Sequence, residues 1–227
     1  MSELASEPSA QREPASEPSA QHEPASEPSA QRALHRLSAA DFADHVPGLA
    51  GLFVDAVAGG ASLGFVAPFD HAAAEKWWRA QEGAVADGER VVWVSCGCAT
   101  NESPTTRGCD RVDGTVSVTF DRMPNARHRG TVGKLMVHRS ARGGGLGRAL
   151  LATAERAAAA EGATLLLLDT ESGSVAERLY RSAGWTCYGV VPAYAADTTG
   201  TTLRPCSFFY KELPVTRRTA SGSAAGP

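Results

Sequence analysis

The sequence predicts an α+β domain with one mixed central β-sheet flanked by helices. Three features of its order support this class: two helical patterns come first, alternating strands follow, and a strand–helix–strand unit comes after them. Alternating strands joined by a short link favour antiparallel pairing, whereas a helix between two strands favours a parallel crossover. A single sheet that contains both kinds of pairing accommodates the whole pattern.

The N-terminal half of the domain contains two predicted helices and one strand. The helices are predicted over residues 38–58 and 70–87, because Ser38 and Asp70 are suitable N-caps in front of helical apolar patterns. A glycine-rich apolar loop, AGGASLGFVAPF, separates them. The β-branched run RVVWVSC predicts the first strand, and an irregular loop with the sequence CATNESPTTRGCD follows it.

The C-terminal half begins with a predicted hairpin. The segments GTVSVTFDR and TVGKLMV are joined by the polar link DRMPNARHRG, which supports antiparallel pairing. A helix at 146–160 and the buried strand TLLLLD come next. A short helix at 174–183 has a capping box, with Ser174 as the N-cap, Glu177 three residues later and Gly184 as the stop signal. The runs WTCYGVV and CSFFYKEL supply the last two strands.

Both ends of the chain are predicted to be tails. A ten-residue repeat rich in Pro, Ser, Glu and Ala runs from Ala5 to Leu34. It has no large apolar side chain before Leu34, so it cannot bury a core. We therefore divide the chain into a disordered tail at 1–33, a folded domain at 34–213 and a second disordered tail at 214–227.

Charge and cysteine content argue against several function classes. The first 32 residues carry six Glu and two Arg, a net charge of −4, and the whole chain carries −3, so the remainder is close to +1. That balance lacks the basic footprint of a nucleic-acid-binding protein. No apolar run reaches transmembrane length, so no membrane partner is expected. Five cysteines without a secretory signal are expected to be reduced thiols of a cytoplasmic protein.

A metal site at the cysteine-rich loop is not predicted. Cys96, Cys98 and Cys109 flank this loop. They lack both the usual C-x-x-C pair and an obvious fourth ligand, which a structural zinc site requires.

The stretch RSARGGGLGRALL has the composition of a phosphate-binding loop. Its four glycines, Gly143, Gly144, Gly145 and Gly147, would expose backbone N–H groups in front of a helix whose dipole favours negative charge. It does not match Walker A, because no Lys–Ser/Thr pair follows, and it lacks the third small residue of the dinucleotide-binding pattern. It does fit Arg/Gln-x-x-Gly-x-Gly/Ala, starting at Arg142. The alternative is a glycine-rich corner without a ligand.

The residues around this loop resemble those of a known enzyme family. The segment KLMVHRSARGGGLGRALL is similar to the acetyl-CoA-binding motif of the GNAT N-acetyltransferases. The segments GGASLGFVA, LLLLDTESGSVAERLYRSAGW, VVPAYA and FFYKEL together resemble the tabtoxin-resistance acetyltransferase and its relatives within that family. This similarity covers essentially all of residues 34–213. The segment LDTESGSVAERLY is more specific than the glycine motif, whereas the repeat and the cysteine-flanked loop lie outside the resemblance.

The resemblance implies a site for acetyl-CoA as a co-substrate. In a GNAT fold the TVGKLMV strand splays from the TLLLLD strand, which leaves the backbone of Leu135, Met136 and Val137 free to bind pantetheine like an added strand. The pyrophosphate is expected on the loop and the helix start, which comprise Arg142, Gly143, Gly144, Gly145, Leu146, Gly147 and Arg148. For Arg148, a solvated position on the helix face is the alternative.

The same resemblance implies the catalytic groups. Tyr180, on the short helix, stands where the family keeps a tyrosine that can protonate the leaving sulfur; core packing is its alternative role. Asp169, at the end of the TLLLLD strand, is the implied general base, directly or through water, and its alternative role is to cap the turn that follows. Backbone N–H groups near Met136 and Val137 would stabilise the oxyanion.

One position departs from the tabtoxin-resistance enzyme. Thr131 stands where that enzyme has a glutamate, a second proposed base. A threonine hydroxyl cannot take up a proton at neutral pH. The base role then falls on Asp169, on a bound water, or on Glu171 or His128, although a solvated role in a polar turn is the simpler interpretation of His128. The same difference weakens the case for a tabtoxin-like acceptor.

We expect an acetyl-CoA-dependent N-acetyltransferase that acts on a primary amine of a small molecule, such as a toxin, an antibiotic or an amino-acid-like metabolite, in detoxification or self-resistance. By analogy, AGGASLGFVAP and VPAYAADTTGTTLRP flank the acceptor, and their few charges suit a small amine better than a polycationic aminoglycoside. One alternative is a protein or peptide N-acetyltransferase. Another is a non-catalytic acyl-CoA-binding regulatory module, which Thr131 favours and which Asp169 and Tyr180 oppose. The chain is expected to be a monomer or a homodimer.

Overall fold

The structure, a computed structural model, describes residues 33–97 and 111–214. The predicted tails at 1–33 and 214–227 lie outside these ranges, apart from Ala33 and Pro214, and so does the loop at 98–110. The proposed limits of the folded domain therefore remain a prediction.

Helices and strands occur largely where the sequence predicts them. The helices are α1 (Ala39–Ala58), α2 (His71–Arg79), α3 (Glu82–Ala86), α4 (Leu146–Ala160) and α5 (Val175–Ser182), with a short 3-10 helix at Arg139–Ala141. The strands are β1 (His35–Arg36), β2 (Arg90–Cys96), β3 (Val112–Phe120), β4 (Arg129–Val137), β5 (Leu165–Glu171), β6 (Thr186–Ala196) and β7 (Leu203–Glu212).

Two features differ from the prediction, and they concern β1, α2 and α3. The sequence pattern does not reveal β1, which is only two residues long and pairs with β2 at the edge of the sheet. The single helix predicted over 70–87 is divided into α2 and α3. Gln81 Nε2 donates to the C=O of Trp77 at 3.0 Å, so this side chain satisfies a carbonyl at the C-terminal end of α2, where the helix stops.

The seven strands of the described residues form one sheet in the order β1-β2-β3-β4-β5-β7-β6. All neighbouring strands are antiparallel except β4 and β5, which are parallel. The predicted hairpin of β3 and β4 is confirmed, with Val118 paired to Val132. A mixed sheet with helices on both faces confirms the predicted α+β class.

The core has two parts because both faces of the sheet are covered. Val91 of β2 packs with α4 and α5 on one face, and its neighbour Val92 packs with α1 and α2 on the other. We call these the α4–α5 face and the α1–α2 face. A Cβ added at Gly114 of β3 would lie 2.8 Å from Leu150 Cδ1. Gly114 therefore lets α4 approach the sheet closely, which fixes the position of the glycine loop before α4.

Side-chain caps define the starts of α1 and α2, as predicted. Ser38 Oγ accepts the N–H of Asp41 at 3.1 Å. Asp70 Oδ1 accepts the N–H of Ala73 at 2.7 Å. Each cap satisfies a backbone donor that the helix leaves free, and together they fix both helices beside the loop at 59–70.

The predicted capping box of α5 is present in a modified form. Ser174 Oγ accepts the N–H of Glu177 at 3.1 Å, whereas the Glu177 carboxylate accepts the N–H of Gly173, the residue before the N-cap. The carboxylate also accepts bonds from Arg181 at 2.7 Å and from the Ser207 hydroxyl at 3.2 Å, which ties α5 to β7. The Gly173 N–H, and then Arg181, hold the pKa of Glu177 below its usual range.

We expect Glu177→Gln to lower the free energy of unfolding by about 1–3 kcal/mol at neutral pH, because the amide is a weaker acceptor than the carboxylate for these donors. The folded-state pKa is lowered, so this stabilisation is present above the unfolded pKa of about 4.3 and is lost as the pH falls through the folded pKa. Chemical denaturation of both proteins should show a difference that shrinks in acid. A difference that stays constant with pH would assign the effect to packing.

The expectation of five reduced thiols is wrong at one position. Cys96, at the end of β2, is disulfide-bonded, whereas Cys187 and Cys206 are free. Cys96 pairs with Val112, so the antiparallel ladder brings the two ends of the cysteine-containing loop side by side. The remaining two cysteines lie outside the described residues.

No metal-binding group of three or more His, Cys, Asp or Glu side chains occurs in residues 33–97 and 111–214. Over the same part of the chain, none of the helices is both long and apolar enough to cross a membrane.

Candidate active site

The central strands β4 and β5 separate along their length. They pair at only three positions, from Arg129 with Leu165 to Thr131 with Leu167. Beyond this point β5 continues beside β7, while β4 continues beside β3. The edge of β4 that faces β5, at residues 132–137, therefore has no strand partner among the described residues. This confirms the splayed strand pair that the family resemblance implies.

A bulge in β4 changes the direction of its side chains next to this opening. Thr115 of β3 pairs with Met136, but Ser117 pairs with Gly133, so Lys134 and the residue after it share one partner. Lys134 has φ of 51°, which a non-glycine residue rarely adopts. As a result Lys134 points to the α1–α2 face, the same face as Gly133. The sequence pattern treats this segment as a regular strand and does not reveal the bulge.

The loop before α4 presents free backbone N–H groups. Gly143 and Gly145 have φ of 84° and 78°, where glycine is strongly preferred. The first helical bond runs from the Ala149 N–H to the Gly145 C=O at 3.1 Å, and the N–H groups of residues 143–148 have no backbone acceptor in the described chain. A Cβ added at Gly143, Gly144 or Gly145 would meet no atom within 4 Å. This open surface of donors suits a phosphate group.

The arginines beside these glycines are exposed but hydrogen-bonded to the protein. Arg142 Nε donates to the Val137 C=O at 3.1 Å, so its guanidinium lies at the end of β4 next to the loop. Arg148 Nη2 donates to Ser182 Oγ at 2.6 Å, which links α4 to the C-terminal end of α5. For Arg148 this is a third arrangement, besides a phosphate contact and a solvated position.

The side chains of the predicted cofactor strand point into the core. Leu135 and Val137 pack on the α4–α5 face, and Met136 is buried on the α1–α2 face. Leu146, at the start of α4, is buried as well. A Cβ added at Gly147 would lie 3.6 Å from a methyl group of Val137, so α4 and β4 meet there. The side chains of Met136 and Leu146 are therefore unavailable to a ligand, whereas Leu135 and Val137 are only half-buried.

Tyr180 lies on α5 with 6% of its surface exposed. Its ring packs against Trp185 and Phe209 at centroid distances of 6.0 Å and 6.1 Å. Its hydroxyl has no hydrogen-bond partner among the residues that the structure describes. Burial, and then the charge of Asp169, raises the pKa of Tyr180, so the hydroxyl remains protonated at neutral pH and can donate.

Asp169 is an exposed carboxylate that follows the apolar run of β5. It pairs with Phe208 of β7, and its Oδ2 lies 3.6 Å from the Cys206 sulfur, the one hydrogen-bond donor to its side chain in the described chain. The turn-capping alternative is therefore not observed in that part of the chain. Its charge raises the pKa of both Tyr180 and Lys134, which places Asp169 within electrostatic reach of two other polar groups of the cleft.

The other candidate bases lie at different distances from the opening. Thr131 is exposed and pairs with Leu167, two residues before Asp169, so it lies on the same face but nearer the paired end. Glu171 is two residues beyond Asp169 and faces the same side. His128 immediately precedes β4, at the paired end of the two strands and thus opposite the opening.

Sequence analysis missed two cations on the α1–α2 face. Lys134 Nζ donates to the Leu63 C=O at 3.1 Å and lies 4.8 Å from the centroid of the Trp77 ring. Arg90 Cζ lies 5.7 Å from the same ring, and its Nη1 donates to Ser117 Oγ at 3.3 Å. The sequence does contain a signal for them, since each is a charged residue in a largely apolar strand. Arg90 begins RVVWVSC, and Lys134 lies within TVGKLMV.

The two segments expected to flank the acceptor contact each other. The N–H of Ala67 donates to the C=O of Thr198 at 2.7 Å. A Cβ added at Gly200 would lie 3.7 Å from a methyl group of Val66. The loop between α1 and α2 therefore touches the β6–β7 connection.

Comparisons with known proteins agree with this geometry. The sequence profile of the acetyltransferase (GNAT) family matches residues 28–185. The ribosomal-protein-alanine N-acetyltransferase of Brucella melitensis is 25% identical, with a TM-score of 0.58 over 80% of this chain and 99% of that one. An N-acetyltransferase of Staphylococcus aureus Mu50 is 15% identical, with a TM-score of 0.61 over 82% and 100%. A GNAT superfamily phosphinothricin acetyltransferase of Sinorhizobium meliloti, solved with acetyl-CoA, is 17% identical, with a TM-score of 0.63 over 85% and 94%.

Proposed function

Since the chain belongs to the acetyltransferase (GNAT) family and uses acetyl-CoA, we propose that it transfers the acetyl group to a primary amine of a small molecule. The proposed acceptor is a toxin, an antibiotic or an amino-acid-like metabolite, so that the reaction serves detoxification or self-resistance. The relative from Sinorhizobium meliloti is named for phosphinothricin, which is consistent with this class. A tabtoxin-like acceptor is a narrower proposal that Thr131 weakens, because that position lacks the second carboxylate.

The observation that carries the proposal is the contact between the two flanking segments. The bond from the Ala67 N–H to the Thr198 C=O joins the loop at 59–70 to the β6–β7 connection. The same loop accepts a hydrogen bond from Lys134 through the Leu63 C=O, so the two joined segments border the space beside Lys134. A small molecule can be surrounded in such a space, whereas a peptide or protein acceptor requires a groove that is open along its length.

The unpaired edge of β4 and the loop before α4 are the proposed site of acetyl-CoA, which supplies an activated acetyl thioester. The free edge at residues 132–137 can accept pantetheine as an added strand, and the N–H groups of residues 143–148 can bind the pyrophosphate. Arg142 lies close enough to the loop to add positive charge.

The polar groups around the opening suit the proton transfers of acyl transfer. The acceptor amine must lose a proton, because a free alkyl amine has a pKa of roughly 10. We assign Asp169 as the group that removes this proton, directly or through water. Backbone N–H groups of β4 near Met136 would stabilise the charge that develops on the carbonyl oxygen. The hydroxyl of Tyr180 would donate to the sulfur as it leaves.

A protein N-acetyltransferase is the second candidate function. The relative from Brucella melitensis is named for the alanine of a ribosomal protein and is 25% identical to this chain. A non-catalytic acyl-CoA-binding module is a third, with Thr131 in its favour and Asp169 and Tyr180 against it.

A thiol-release assay separates these functions. The full chain and acetyl-CoA are tested against free amino acids, amine antibiotics, β-lactam amino acids and short peptides, while calorimetry measures acetyl-CoA binding. We expect turnover with at least one small amine and none with peptides. Turnover with peptides alone would favour the second function, and binding without turnover on any amine would favour the regulatory module.

A further inference from the structure

Two half-buried cations contact one aromatic ring on the α1–α2 face. The Lys134 ammonium and the Arg90 guanidinium lie 4.8 Å and 5.7 Å from the ring centroid of Trp77. Their hydrogen bonds are to neutral oxygens, the Leu63 carbonyl and the Ser117 hydroxyl. Among the described residues, neither cation has a carboxylate within ion-pair distance. Buried charges are normally paired, so this arrangement is unusual.

The unpaired state of these cations is unfavourable in the free protein. Arg90 Nε is buried and has no hydrogen-bond partner among the described residues, and a buried donor left unpaired destabilises the folded state. Burial lowers the pKa of both groups, and the charge of Arg90 lowers the pKa of Lys134 further. The two positive charges thus oppose each other, and a bound anion would relieve both the repulsion and the unpaired donor.

The structure leaves room for such an anion beside the cations. Gly133 faces them from β4, and a Cβ added there would meet only Ser117 Oγ, at 3.9 Å. The side chain missing at this position leaves open space beside the Ser117 hydroxyl, which accepts the hydrogen bond from Arg90. Asp169 of β5 lies on the same face of the sheet as Gly133, because Leu167 and Thr131, each two residues earlier, pair with each other. Its charge also raises the pKa of Lys134, so a ligand held at Lys134 can extend towards Asp169.

We propose that Arg90 and Lys134 bind an anionic group of the acceptor, a carboxylate or another oxyanion. The acceptor is then a zwitterion with an amine at one end and an oxyanion at the other, as in an amino acid. This inference rests on the proposed function for one point, because the amine must reach Asp169 for transfer to occur. A guanidinium beside an ammonium is a strong combination for a planar oxyanion, since the guanidinium can donate two parallel bonds. A polycationic acceptor would be repelled.

The kinetic test compares acceptors that differ only in charge. Free L-glutamine and L-methionine are assayed beside their C-terminal amides, with the native chain, Arg90→Met and the control Lys76→Met. Lys76 is an exposed cation on α2, so its substitution removes the same charge outside the cleft. For the free acids we expect Arg90→Met to raise KM roughly 30-fold at nearly unchanged kcat, and to leave the amides almost unaffected. Equal losses for acids and amides would overturn the proposal.

A binding measurement makes the test independent of turnover. Calorimetry follows N-acetyl-L-methionine, which carries the carboxylate but no free amine, in the presence of coenzyme A. We expect binding to the native chain and to Lys76→Met, and about 30-fold weaker binding to Arg90→Met. Arg90→Lys keeps the positive charge, so it should recover part of the affinity. It also tests the anion site if Arg90→Met folds poorly. Equal affinity in all four proteins would overturn the anion site.

The two proposals fail in different ways. If carboxylate binding depends on Arg90 but no amine is acetylated, the anion site is supported and the proposed function is rejected. Acetylation of amines without any preference for free acids over amides would support the proposed function and reject the anion site.

Discussion

Replacing Tyr180 with phenylalanine is expected to lower kcat roughly 100-fold and to leave acetyl-CoA affinity within about twofold of the native value. The ring contacts with Trp185 and Phe209 do not involve the hydroxyl, so phenylalanine preserves the packing of α5. The hydroxyl has no other hydrogen bond among the described residues, so its loss leaves no protein group unpaired there. What disappears is the donor proposed for the leaving sulfur. Steady-state kinetics and calorimetry with acetyl-CoA measure the two quantities.

A variant of the proposed base, Asp169→Asn, distinguishes the loss of a proton acceptor from the loss of the proton donor at Tyr180. Asp169→Asn removes a proton acceptor, so its rate should recover as the pH rises and more of the acceptor amine is already neutral. The rate of Tyr180→Phe should show no such recovery, because the amine is not the group it affects. Unchanged turnover in Tyr180→Phe would leave core packing as the role of this tyrosine. Identical pH profiles in the two variants would mean that the proton-transfer roles are not divided in this way.

Introducing a carboxylate at Gly144 is the second change with a large expected effect. The N–H groups of residues 143–148 have no backbone acceptor among the described residues, and Gly144, unlike its neighbours on both sides, does not have a positive φ. A side chain there is tolerated by the backbone, and a Cβ meets nothing within 4 Å. Gly144→Glu therefore places negative charge where a pyrophosphate is proposed to bind. We expect the Kd of acetyl-CoA to rise on the order of 100-fold.

The matched control for this change is Gly144→Gln, which has nearly the same size but no charge. Its Kd should stay within about tenfold of the native value, and both variants should keep the native melting temperature, because neither contacts the core. Calorimetric titration with acetyl-CoA and thermal denaturation measure these quantities. If both variants bind as tightly as the native chain, the phosphate site lies elsewhere.

Local signals account for most of what the sequence predicts correctly. Ser38 and Asp70 cap their helices through atoms three residues away, and the start of α4 follows from the glycines that precede it. Interactions of this range depend on a few consecutive residues, so a pattern can reveal them. The strands β2 and β3 follow in the same way from a β-branched run and from alternation, respectively.

The features that sequence analysis misses depend on distant parts of the chain. The bulge at Lys134 is visible only against the register of β3, and the proximity of Lys134 to Arg90 requires β2, β3 and β4 to lie side by side. The capping carboxylate of Glu177 also serves Ser207 on β7, thirty positions away, which a local motif cannot show. These are contacts of tertiary structure, and a single sequence carries no direct record of them.

The bond between Ala67 and Thr198 has a consequence for how the acceptor range of this enzyme can change. It joins two backbone groups, so it persists whichever side chains surround it, provided that residue 67 is not proline. Selection, or a directed-evolution library, can therefore vary the neighbouring positions on both segments while the two segments stay joined beside the proposed acceptor site. The proposed cofactor site, built from glycines and strand backbone on other elements, would not be disturbed. Variants with new acceptor specificities can therefore be sought without changing the proposed cofactor site.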